Sequence, residues 1–226
     1  MFTGSRPWFL PCGLLLLAAS CVEAEPIKGH AHGEFFPTAR VHVDLGDATP
    51  TTPPPGFESA TGTMAVELAA TGARGDLSMT SGGLTTGDYD LLDTSATFDV
   101  VLAGEVWDLG LNAGLGFHRF HASFEGPAGE AEQRDDFVSL VIALEAAWLP
   151  VEPLRVYGRV QPELLFPAAS VTLAEIGLQV RVVDKTHVFA AWRYYDFSRD
   201  GVEGPLTHTR LQVELDGLAV GVEMRF

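Results

Sequence analysis

Apolar residues recur at every second position through most of this chain, and no stretch outside the extreme N-terminus carries the 3.6-residue period of an amphipathic helix. The last ten residues, "GLAVGVEMRF", state the pattern in full. Leu218, Val220, Val222, Met224 and Phe226 fall on one phase, and Ala219, Gly221, Glu223 and Arg225 on the other. Upstream, the same alternation runs through Met64 to Ala70, Phe98 to Leu102, Trp107 to Phe117 and Val138 to Trp148. It continues through Leu154 to Val160, Ala174 to Val182 and Val188 to Tyr194. This predicts about eight strands, each of the roughly 9 to 11 residues that cross a bilayer when tilted.

The connections sort by length. Short ones fall at "AGEV", "PVEP" and "DKT", and longer polar ones at "SGGLTTGDYDLLD", "HASFEGPAGEAEQRD", "LLFPAAS" and "SRDGVEGPLT". Short turns on one rim and long loops on the other suit a membrane barrel. A soluble barrel with an apolar interior has the same period, so the aromatics decide. Trp107, Trp148 and Phe226 all sit at strand ends on one rim, with Phe117, Tyr194 and Phe197 toward the other, as two interfacial girdles would. The fold expected is therefore all-β: an antiparallel up-and-down transmembrane barrel over residues 61–226, monomeric.

Ahead of it, residues 1–24 read as a cleaved signal peptide, with Arg6, an apolar run from Leu14 to Ala19, and a small-residue site at Val22, Glu23, Ala24. The alternative cut, after Ala18, Ala19, Ser20, makes Cys21 a lipobox cysteine. Cys12 and Cys21 are the chain's two cysteines, so the mature fold has no disulfide framework. Residues 25–60 contain "DATPTTPPPG" and read as a Pro-rich flexible segment in the periplasm, with at most a short strand at Arg40 to Gly46. A net charge of −16, with 14 Lys and Arg against 30 Asp and Glu, excludes a nucleic-acid partner.

Two interruptions bear on the strand count. Pro162 lacks a ladder donor, so pairing is expected to stop at Gln161. At Asp216 and Gly217 the apolar phase shifts, from Leu211, Val213 and Leu215 to Leu218 onward. A bulge there keeps the count even, whereas a turn would make it odd and put one terminus outside.

The signal segment, the turn asymmetry and the terminal "GVEMRF" resemble the small outer-membrane β-barrel proteins of Gram-negative bacteria, the eight-stranded group with OmpA-like and OmpW-like domains. The resemblance implies an outer-membrane location beside lipopolysaccharide. It also implies that Val220, Val222, Met224 and Phe226 are read by the barrel-assembly machinery.

The polar phases would then face a narrow lumen. They supply Glu67, Asp99, Glu145, Arg155, Arg159, Glu175, Arg181, Arg193, Glu223 and Arg225, with Asp108, Asn112, Gln161, Glu163 and Gln179 beside them. Mixed signs predict a network of ion pairs that plugs the barrel, and a structural or surface-interaction role follows. A narrow channel or pocket for small apolar molecules is the alternative that OmpW-like barrels suggest.

Catalysis is not expected. His121, Ser123 and Glu125 share one strand face and carry the groups of an activated nucleophile, like the His-x-Ser pair of an outer-membrane lipid A deacylase. The Asn that follows the Ser in that family is missing. No cofactor is implied. His30, His32 and Glu34, two apart in "GHAHGE", are the candidate metal ligands, on a tail that offers nothing to fix them.

Overall fold

The computed structural model describes residues 27–47, 61–79, 86–127, 129–165, 169–200 and 210–226, and they fold almost wholly as strand. The strands are β1 (Ile27–Asp47), β2 (Thr61–Met79), β3 (Thr86–Ala103), β4 (Trp107–Gly126), β5 (Gly129–Val151), β6 (Leu154–Leu165), β7 (Ala169–Val183), β8 (Thr186–Asp200) and β9 (Arg210–Arg225). They close in chain order into one nine-stranded barrel. Each sequential pair is antiparallel, but the closing pair β1 and β9 runs parallel, from Ile27 opposite Leu211 to His42 opposite Arg225.

The barrel therefore has nine strands rather than eight, and it is not antiparallel throughout. The ninth is β1, whose 21 residues lie in the stretch expected to be a mobile segment. Its alternation is hard to read because a one-residue bulge at Gly33 (φ +75°) reverses the phase partway. Pro37 is tolerated where the ladder to β2 is open, between His30 and Thr38. The signal-peptide reading of residues 1–24 lies outside the described residues.

An odd count places Ile27 and Phe226 at opposite rims. Residues 104–106, 152–153 and 184–185 turn the chain at the rim of Phe226, where β1 ends and β2 begins. At the other rim, the segment expected as a loop at "HASFEGPAGEAEQRD" is mostly ladder. β4 and β5 pair without a break from Trp107 opposite Trp148 to Gly126 opposite Gly129.

The two expected interruptions resolve differently from the sequence reading. Pairing does not stop at Gln161: β6 runs through Pro162 to Leu165, and Pro162 lies opposite Thr172 of β7. On the other side the ladder to β5 skips from Val141/Glu163 to Leu144/Val160, where the missing N–H falls. Nor does β9 bulge at Asp216, because its register with β8 is unbroken from Asp200/Arg210 to Thr186/Met224.

The phase shift at Asp216 is instead an inversion of surroundings. Leu211, Val213 and Leu215 point into the barrel and are buried, while Gln212, Glu214 and Asp216 point out. Beyond Gly217 the outward positions are Leu218, Val220, Val222 and Met224. Other strands switch at the matching level: outward Arg74 and Asp76 give way to Leu68 and Val66 on β2, and outward Arg119 and His121 to Leu115 and Leu111 on β4. The barrel thus has two zones. Next to Phe226's rim it is apolar outside and polar inside, with Ile176 65%, Leu115 60% and Leu144 58% exposed. Farther away it has an apolar core, in which Phe197 stacks on Phe120 at 5.0 Å and meets Phe137 at a tilt, 5.6 Å away. Cross-strand ion pairs such as Arg74–Asp90 (2.5 Å) and Arg119–Asp136 (3.0 Å) form a polar collar around that core.

The parallel seam depends on glycine. A Cβ at Gly217 would collide with the backbone of Glu34, whereas one at Gly158 would meet only the Glu175 carbonyl, at 3.8 Å. Gly217→Val is expected to cost at least the ~1–3 kcal/mol of an overpacked site and to lower the thermal unfolding midpoint accordingly. Gly158→Ala should unfold near the wild-type midpoint; equal behaviour of the two would remove the seam as the critical contact.

Candidate functional site: the charged interior

The inward positions of the lower zone are polar because alternation on a closed barrel leaves no other place for them. Beginning at Phe226's rim, the lumen holds a cavity of about 260 Å³ lined by His42, Glu67, Asp99, Glu145, Arg155 and Glu223 among others. Arg155 Nη2 donates to Glu145 at 2.8 Å, and Arg225 Nε to Glu223 at 2.8 Å.

Deeper in, the space closes around two guanidinium–carboxylate knots. Arg193 donates to Glu175 Oε2 through Nε (2.9 Å) and Nη2 (2.6 Å) and to Thr71 through Nη1 (2.8 Å). Arg40 Nη2 donates to the other Glu175 oxygen, Oε1, at 2.6 Å, and the Tyr157 hydroxyl donates to the same oxygen. Arg159 grips Glu67 with Nη1 (3.1 Å to Oε2) and Nη2 (2.8 Å to Oε1), and donates to Gln161, which donates to Glu163 at 2.6 Å. Glu163 Oε2 in turn lies 2.6 Å from His118 Nε2 and accepts the Ser139 hydroxyl at 2.5 Å. On the far side of His118, Asp93 is 3.5 Å from Nδ1. Beyond this level the barrel is filled by buried Phe36, Phe120, Phe137, Leu91 and Leu215.

Nine of the ten expected lumen residues lie in this interior. Arg181 does not: it lies near the end of β7 at the rim, its side chain 43% exposed, and pairs with Glu152. Arg40, His42, Asp93, His118, Ser139 and Tyr157 were missed. The alternation of Arg40, His42 and Asp44 against Val41 and Val43 carried the signal for β1. His118 was hidden among the aromatics of "GFHRFH".

The girdle residues fall as expected on the outer face, with Trp107 and Trp148 opposite each other at 6.2 Å and Lys185 Nζ 6.0 Å from the Phe226 ring. Phe117 and Tyr194 stand at the upper edge of the apolar belt, but Phe197 belongs to the core. Trp192 and Phe35, exposed on the belt, were overlooked. Val220, Val222, Met224 and Phe226 also point outward.

The weaker candidates do not assemble. His121 and Ser123 lie on the outer face of β4, roughly 6–7 Å apart along the strand. His121 bonds Glu132 at 2.8 Å, not Ser123, and Glu125 is exposed beyond them. His30 and His32 stack at 6.3 Å on the outer face of β1, facing Glu214 and Asp216. The bulge at Gly33 turns Glu34 the other way, to accept the Tyr89 hydroxyl at 2.7 Å. Burial, with Glu34 beside it, pushes that hydroxyl above the usual phenol range.

Neither the models of known families, nor the curated proteins, nor the solved structures include a match to this chain.

Proposed function

We propose that this protein spans the outer membrane of a Gram-negative bacterium as a monomeric β-barrel, with the apolar belt in the bilayer and the ion-paired collar above it. Its role is structural or surface-interacting rather than the passage of solutes. The observation that carries this reading is the common level at which the strands exchange apolar-inside for apolar-outside. A barrel in water has no reason to leave Ile176, Leu115 and Leu144 bare while filling its lumen with carboxylates. Hydrocarbon demands a closed ladder with no free edge, and the β1–β9 pairing supplies one.

The stacked knots at Glu175 and Glu67, capped by the phenylalanine core, favour a lumen that ions do not cross. The same charges disfavour a pocket for apolar molecules in that lumen. Acidic outward residues of the collar, such as Asp76, Asp88 and Glu132, suit divalent-ion bridges to lipopolysaccharide. The outward face of β9 is where the assembly machinery would read Val220 to Phe226. Likeness to the eight-stranded group stops at a closed, all-strand barrel, because this one has nine strands and a parallel closing pair. With Phe226's rim in the periplasm, β1 ends on the periplasmic side and begins at the outer rim.

Tryptophan fluorescence tests the placement. In vesicles of brominated lipid, Trp107, Trp148 and Trp192 are expected to be strongly quenched, and the protein should fractionate with the outer membrane. Mature protein that is folded, soluble without detergent and unquenched would overturn the reading.

A further inference from the structure

His42 stands at the inner end of the 260 Å³ cavity, and three carboxylates surround it. Nε2 lies 3.1 Å from Glu67 Oε2 and 3.6 Å from Glu223 Oε2, and on the far side of the ring Nδ1 lies 3.5 Å from Asp99 Oδ2. The side chains of all three acids are at least nine-tenths buried. Two atoms of the cluster are buried without a hydrogen bond. One is His42 Nε2; the other is Glu67 Oε1, which Arg159 Nη2 approaches to 2.8 Å but out of line for donation.

The two carboxylate distances from Nε2 are of the length that separates ligands of one metal ion. Ligands about 2.0–2.1 Å from a tetrahedral zinc stand about 3.3 Å from one another, and the two carboxylate separations bracket that length. Asp99 is placed to take the Nδ1 proton, which fixes the tautomer that leaves Nε2 free to ligate. Thr97 donates to the other Asp99 oxygen at 2.9 Å and holds the carboxylate in place.

Charge favours a cation as well. Asp44, Asp108 and Glu145 line the same cavity with those three acids. The six carboxylates face Arg155 and Arg225, with Arg159 behind Glu67. Even with Arg40 counted, which shares Glu175 with Arg193 just beyond, the carboxylates around the cavity outnumber the guanidiniums, and this favours a cation there.

The geometry points to a binding site for one divalent transition-metal ion, of the zinc class, held by His42 Nε2, Glu67 and Glu223, with the fourth position open to the cavity. An imidazole among carboxylates suits zinc and its neighbours, whereas magnesium and calcium prefer oxygen alone. Binding displaces any proton from Nε2 into solvent, so affinity rises with pH. The site is distinct from the outer-face pair His30 and His32, and it does not depend on what surrounds the barrel.

The test uses the folded full chain in detergent, washed with chelator and titrated with Zn²⁺ by calorimetry. Expected are one equivalent bound at micromolar affinity or better and a zinc X-ray absorption spectrum showing a single imidazole among oxygens. His42→Ala should weaken binding more than 100-fold. Asp99→Asn should weaken it about 10–100-fold while keeping the single-imidazole spectrum. His32→Ala should change nothing. The wild-type spectrum decides even if His42→Ala fails to fold. No binding at micromolar zinc, a two-imidazole spectrum abolished by His32→Ala, or undiminished binding in folded His42→Ala would each overturn the site.

Discussion

Glu175→Leu is expected to be the most damaging single substitution in the lumen. Its carboxylate takes Arg40 on one oxygen and Arg193 on the other, with all three side chains at least nine-tenths buried. Removing it leaves two guanidiniums facing each other without a counter-ion. Breaking one buried pair by deleting a partner costs about 3–5 kcal/mol, and two stranded charges should reach at least the upper end. That is a third or more of the ~5–15 kcal/mol by which a typical domain is stable. Arg181→Leu is the contrast, because this half-exposed rim residue pairs in water and its loss should stay within about 0.5 kcal/mol. Urea unfolding in lipid vesicles, followed by tryptophan fluorescence, measures both. If Glu175→Leu unfolds at the wild-type midpoint, the interior charges are solvated and the sealed lumen is wrong.

Ile176→Arg should produce the second large effect. Ile176 faces outward within the apolar belt and is the most exposed large apolar residue described, at 65%. In a bilayer an arginine on the lipid face at mid-depth costs about 2–4 kcal/mol. In water the same change would be near neutral. Asp76→Arg, on the collar outside the belt, should be nearly silent in either setting. The comparison is made in lipid vesicles by the same unfolding measurement. Equal costs for the two variants would mean that the belt does not meet hydrocarbon.

Much of this protein was legible from period alone. Strands with one apolar and one polar phase have two options; the strand-end aromatics Trp107, Trp148 and Phe226 favoured the apolar phase outside, which holds for the zone next to Phe226's rim, whereas the far zone takes the other option. Nine of the ten lumen charges followed from counting alternate positions. Arg181 failed because phase says which way a side chain points and nothing of how near the rim it lies. The first strand was read only in part, as a short strand at Arg40 to Gly46 outside the barrel, because its bulge at Gly33 splits the alternation into two short runs of opposite phase, each weaker than the proline signal beside it. Leaving that strand out of the barrel cost Arg40 and His42, one at the centre of the ion-pair network and one at the proposed metal site.

The change of phase at Asp216 marks where sequence ends and tertiary structure begins. Local pattern determined that Leu215 and Leu218 face opposite ways, since side chains alternate on any strand. It could not determine that both are properly placed, because that depends on what each face meets. Only closure decided it: the same wall encloses a phenylalanine core at one level and a charged lumen at the other. The parity of the barrel was decided in the same way. Whether β1 meets β9 parallel or antiparallel is a property of two segments some 180 residues apart in register, and it rests on the close approach at Gly217 that no local pattern announces.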